Sequence, residues 1–172
     1  MTVICPIPKS PGIPGRFGRD ECQDWHRSLA LAADIASVVE NPRFLIISAF
    51  KSNEGESDIT IYSRVLSELA PDVPIEKIVR GVETIEQTDV LRELRASNDE
   101  PMVIVSTFLH ALRVRYLSRG IDAAHHTAFG LPHPREAITD IILMFAMPII
   151  DACGLREWYL ARIEARRIKG VF

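Results

Sequence analysis

Short β-branched runs alternating with longer stretches of helical periodicity predict a three-layer αβα domain, Rossmann-like, with a mainly parallel five-stranded sheet. Two further observations support that fold class. The chain has 172 residues, enough for one domain with a sizeable core, and it shows no internal repeat or low-complexity tract. Its hydrophobic fraction of 47% and charged fraction of 25% are those of an ordinary globular protein. Residues 1–172 are therefore read as a single domain.

Thr2 to Cys5 forms the first strand, and the Pro/Gly-rich segment Pro6 to Gly18 reads as a long loop. Asp20 with Gln23 makes a capping box for a helix running to about Glu40, where Asn41-Pro42 stops it. Phe44 to Ser48 (FLIIS) is a buried strand. The next helix begins near Ser57 and puts Ile61, Val65, Leu66 and Leu69 on one face, the stripe of a half-buried helix. Pro71 to Pro74 is a turn, Lys77 to Val79 a short strand, and Thr84 to Ala96 a helix with Ile85, Val90, Leu91 and Leu94 inward.

Met102 to Val105 is the clearest strand. His110 to Arg119 is helical, with Gly120 as its C′ residue, and His125 to Phe129 is the last strand. Helices over Arg135 to Ile150 and Leu155 to Lys169 complete the domain, the latter within the C-terminal segment 155–172.

A net charge of −3 and a pI near 6.0 argue against a nucleic-acid partner, since phosphate contacts need a concentrated basic face. The three cysteines, Cys5, Cys22 and Cys153, form no C-x-x-C pair, so neither a disulfide framework nor a zinc ribbon is indicated. The N-terminus carries Pro6, Pro8, Pro11 and Pro14 instead of an apolar signal-peptide core. The longest apolar run, Ile141 to Ile150, is too short to span a bilayer and contains Pro148. A cytoplasmic protein with reduced thiols and no membrane span is expected. That same run is apolar nearly all round, which suggests a buried helix or a homodimer interface.

In an open parallel sheet, ligands bind outside the C-terminal strand ends, where helix N-termini offer free N–H groups to anions. That rule selects the loops after Cys5, Ser48, Val79 and Val105, with Lys9, Ser48, Glu56, Thr84, Glu86, Gln87, Ser106 and Thr107 as ligand-facing candidates. The segment V105-S-T-F-L-H110-A-L-R113 carries the most information. A strand ends in two hydroxyls, a helix begins at once, and His110 and Arg113 share a face at i, i+3. An imidazole near a helix N-terminus tends to be neutral and able to act as a base. Arg113 offers a planar fork suited to phosphate or carboxylate. The plainer alternative is that Ser106 or Thr107 caps the helix while His110 and Arg113 bond loop carbonyls.

In T84-I-E-Q87, Thr84 and Gln87 fit a capping box, with Glu86 as a first-turn acid; the functional alternative sets Glu86 beside His110. His125-His126, with His133, is a poor metal site because adjacent strand residues point to opposite faces, and no metal is expected. The basic and aromatic C-terminal stretch around Arg156, Trp158, Tyr159 and Arg162 fits packing on the core or a partner better than a membrane surface, since Glu157 and Glu164 dilute its charge.

TIEQ followed by VSTFLHALR, in this order and spacing, resembles the YdcF/SanA/ElyC-like domain family, whose pattern has T-x-E-N opening one helix and V-T-S-x-x-H-x-x-R at the next strand end. FLIIS, Glu56 and Arg135-Glu136 resemble further family features, so the likeness runs from about Val3 to Ile150. The resemblance implies a bacterial, Rossmann-like domain associated with the cell envelope, with a small anionic or nucleotide-like ligand and S-adenosylmethionine as candidate cofactor. On it, His110 and Glu86 are the candidate catalytic pair. Two family glycines are replaced, in C5-P-I-P-K9 and S48-A-F50, where they would let a backbone approach a phosphate.

Overall fold

The computed structural model describes residues 1–8, 24–49, 57–81, 83–132 and 134–168. Among them lie five strands and six helices: β1 Thr2–Pro6, α1 Asp24–Ala36, β2 Pro42–Ile47, α2 Asp58–Leu69, β3 Ile75–Ile78, α3 Thr84–Ser97, β4 Met102–Thr107, α4 Phe108–Leu117, β5 Ala124–Ala128, α5 Pro134–Ala152 and α6 Arg156–Ile168. The predicted box at Asp20 and Gln23 and most of the Pro/Gly-rich segment fall outside the described residues, as do residues 50–56, His133 and the last four residues.

The strands pair in parallel in the order β3-β2-β1-β4-β5, so the expected Rossmann-like α/β fold is present with an all-parallel sheet. The register runs from Val3 opposite Met102 to Pro6 opposite Val105, and from Val103 opposite Ala124 to Thr107 opposite Ala128. Both faces of the sheet are covered, which is why β1, β2 and β4 read as continuous apolar runs without alternation. On one face Ile4, Phe44, Ile46, Val103 and Val105 meet Leu29 and Ala32 of α1 and Ile61 and Leu66 of α2. On the other, Cys5, Leu45, Ile47 and Ile104 meet Val90 and Leu91 of α3 and Val114 of α4. A third cluster sets Met147 of α5 against Ile85 and Leu117, so α5 lies over α3 and α4. Each fully buried Leu, Ile, Val, Phe or Met side chain among these contributes about 1.5–3 kcal/mol of hydrophobic stabilisation.

Local chemistry explains several boundaries. Ser57 caps α2, its hydroxyl accepting from the Thr60 N–H at 3.2 Å. Asn41 takes a φ of 46° in the turn before β2, and α1 already ends at Ala36, short of Glu40. Gly120 lies in the left-handed region at φ +83°, but Ser118 is the C-cap of α4, so the glycine serves one position beyond C′. β3 begins two residues before Lys77 because its pairing with β2 sets Phe44 opposite Ile75, and Val79 falls past its end, 69% exposed. β5 is likewise displaced by one residue, leaving Phe129 exposed. Leu69, expected inward, is 42% exposed because it occupies the last position of α2, beyond the reach of the core.

The buried-helix reading of Ile141 to Ile150 is overturned. Within that run Met147 is fully buried and Leu143 and Ile150 are partly so, whereas Ile141, Ile142, Phe145 and Ile149 face outward. Among the described residues, no helix is long and apolar enough to cross a membrane.

Candidate functional site

The chain leaves β1 for β2 on one side and reaches β4 on the other, so the topological switch point lies between β1 and β4. Ser106 and Thr107 are the last two residues of β4, both buried, and α4 starts without an intervening loop. Ser106 Oγ donates to the Ile7 carbonyl at 3.0 Å, tying the ends of β1 and β4 together. Thr107 occupies the N-cap position by its backbone, but its hydroxyl makes no capping hydrogen bond, and Ser106 is turned to Ile7. Neither hydroxyl is therefore a cap of the kind expected.

At the end of β2, the Ser48 N–H donates to the Ile78 carbonyl at 3.1 Å and the Ala49 N–H to the Gly81 carbonyl at 3.1 Å. Gln87 Nε2 donates to the Ile47 carbonyl at 2.9 Å, fastening the start of α3 to the same edge. Gly81 is required here twice over. Its φ is +76°, and a Cβ would lie 2.9 Å from the backbone nitrogen of Gln87. The sequence pattern drew attention to glycines replaced after β1 and β2, but the close backbone approach at this edge occurs after β3.

The capping box of α3 is displaced by one residue from the expected pair. Glu83 is the N-cap, and the Glu86 carboxylate accepts from the Glu83 N–H at 3.0 Å. Thr84, the first helical residue, is consequently released from capping and turned inward. Glu86 is engaged with the backbone of its own helix.

Thr84, His110, Arg113 and Asp140 form a buried polar cluster where α3, α4 and α5 converge, with exposures of 6%, 2%, 8% and 3%. An Arg113 terminal nitrogen donates to Thr84 Oγ1 at 2.9 Å and lies 3.2 Å from His110 Nδ1. His110 Nε2 lies 3.4 Å from Thr84 Oγ1, and Asp140 Oδ1 lies 3.5 Å from His110 Nδ1. Arginine only donates and carboxylate only accepts, so His110 Nδ1 meets opposite demands. As a bare nitrogen it accepts from Arg113, and Nε2–H donates to Thr84. As Nδ1–H it donates to Asp140, and Nε2 accepts the Thr84 hydroxyl proton. The cluster thus supports two proton arrangements without moving a heavy atom.

Arg113 Nε is buried with no hydrogen-bond partner among the described residues, although the guanidinium is a donor that burial would otherwise penalise. The sequence spacing brought His110 and Arg113 together as expected, and Thr84 joins them. Gln87, Ser106 and Ser48 hold the strand ends nearby, whereas Lys9 and Glu56 lie outside the described residues. Asp140 was missed. Its signal was a lone acid opening an apolar stretch, seven residues before Met147 and so on the helix face that turns inward.

Elsewhere, His125 and His126 do not share a site. His125 is half-buried with Nε2 3.4 Å from Ser118 Oγ, while His126 is exposed. Burial, reinforced by the neighbouring Arg115 and His126 charges, pushes the His125 pKa down. Cys5 is wholly buried in β1, and burial pushes its thiol up to about 12, so it is unreactive in the folded chain. No group of three or more metal-ligating side chains occurs among the described residues.

No protein-family model matches the chain, and no curated protein or solved structure matches it.

Proposed function

We propose that this chain is a small-ligand-binding α/β domain of the YdcF/SanA/ElyC type. It takes an anionic, nucleotide-like or phosphorylated ligand in the crevice at the C-terminal edge of its sheet. The single observation that supports this most is the buried Thr84–His110–Arg113–Asp140 cluster with its unpartnered Arg113 Nε. Burying a guanidinium and a carboxylate is expensive, and an apolar packing of the same volume is often equally stable. Ionisable groups retained inside a fold, next to two helix N-termini at a switch point, are the usual setting of a functional site.

On the enzyme form of this reading, the reaction is a metal-independent hydrolysis or group transfer with His110 as acid/base. Asp140 and Arg113 hold the ring between its two proton arrangements, and Arg113 supplies positive charge toward the anion. A non-catalytic binding module is the second reading. It is favoured by the fact that both ring nitrogens of His110 face protein groups and the side chain is 2% exposed. S-adenosylmethionine belongs to either reading as a candidate ligand.

The test is a thermal-shift panel of nucleotides, S-adenosylmethionine and phosphorylated sugars on the wild type, His110→Gln and Arg113→Lys. A ligand that binds the folded state raises the melting temperature as ln(1 + [L]/Kd). A shift seen in the wild type and lost in both variants supports the site. Turnover of that ligand by the wild type but not by His110→Gln selects the enzyme form. A panel without any shift removes the ligand-binding reading.

A further inference from the structure

We propose that the outward face of α5 is a self-association surface, on which a second copy of the chain lays its own α5 antiparallel across a two-fold axis. α5 has two apolar seams. The inner one carries Leu143, Met147 and Ile150 together with Asp140, and it is covered by the clusters of α3, α4 and α6. The outer seam carries Ile138, Ile142, Phe145 and Ile149, exposed by 59%, 59%, 65% and 64%, with Ile141 beside it at 43%.

Three observations select a second copy as the occupant. The first is spacing. Steps of four, three and four residues are those of a coiled-coil seam, so the face is cut to receive a helix. The second is symmetry. The seam is a palindrome, so reversing it sets Ile138 against Ile149 and Ile142 against Phe145, with every position meeting an apolar partner. An isologous two-fold contact needs such self-complementarity. The third is charge. From Ile138 to Ile149 the only charged residue is Asp140, which is buried on the inner side. Within that stretch no exposed charge is present to choose a different helix or to hold an anionic lipid surface, and none repels across the axis. The five side chains expose on the order of 500 Å² of apolar surface. That is the size of an interaction patch and more than half of the ~800 Å² that each partner of a standard interface contributes.

The experiment is sedimentation velocity on the full chain from about 1 to 100 μM, with Ile142→Lys and Phe145→Glu each run alone and then mixed. The wild type sediments as a dimer. Each variant weakens the dimer at least ~30-fold, the scale of an interface hot spot, while retaining the wild-type circular dichroism spectrum. Mixing the two variants restores a 1:1 dimer, because the two-fold sets position 142 of one copy against position 145 of the other. A wild type monomeric at 100 μM overturns the proposal, as does a dimer that persists in both variants or a mixture that stays monomeric. Binding of a monomeric wild type to anionic phosphatidylglycerol vesicles assigns the face to lipid instead and overturns it as well.

Discussion

The two helical layers bury polar groups in different ways. Among the contacts described in the α1/α2 layer, Ser63 donates to the Ile59 carbonyl, Ser28 to the Trp25 carbonyl and Arg27 to Asp24, all within four residues. In the α3/α4/α5 layer Thr88 and Ser118 make bonds of the same local kind, to the Ile85 and Val114 carbonyls, but a polar cluster also crosses between elements. Thr84 meets His110 across 26 residues and Arg113 across 29, and Asp140 reaches His110 from a third helix. Local bonds form wherever the helix forms, so they say little about tertiary arrangement. Bonds between helices exist only in one packing, so they specify how α3, α4 and α5 sit together. They also concentrate ionisable groups at one place.

The largest expected break of this contrast is Asp140→Ala. Removing the carboxylate from this buried charged cluster costs about 3 kcal/mol or more. Ser63→Ala, on the other layer, removes a bond to the Ile59 carbonyl within the same helix and costs below about 1 kcal/mol. Urea titrations of the two variants decide it, and equal losses would erase the distinction drawn between the layers. Glu86→Ala comes next. It takes away one of the two side-chain acceptors of the α3 capping box and costs about 1 kcal/mol by the same titration. A larger loss, or a change in ligand affinity without one, would move Glu86 from the cap to the crevice.

The smallest effect is in pH. The folded-state pKa of His125 lies below its ordinary value, mainly through burial, so the unfolded chain binds its proton more readily. Its contribution is present above about pH 6.5, the ordinary histidine value, and lost as the pH falls below it. His125→Gln therefore flattens the slope of melting temperature between about pH 5 and 7 slightly. A slope unchanged by the substitution would show that His125 does not carry this acid sensitivity.

Most of the fold was legible because burial on both faces writes strands as unbroken apolar runs. Phe44 to Ile47 and Met102 to Val105 stand out for that reason, and Ser57 is an ordinary local cap. The site was half legible. His110 and Arg113 are linked by helical spacing, a property of the chain. Asp140 is linked to them only by where α5 lands.

Neighbouring residues alone account for the local features: helix or strand, the cap at Ser57, the glycine at φ +83° after α4, and the shared face of His110 and Arg113. These follow from interactions within a few residues, and every chain with this local pattern meets the same constraints. The tertiary structure alone decided the strand order β3-β2-β1-β4-β5, the turning of Thr84 from an expected cap to a cluster member, and the burial of Asp140. It also decided which seam of α5 faces inward. An apolar helix with two usable faces has no local reason to prefer one, so contact with Ile85 and Leu117 across the domain made the choice.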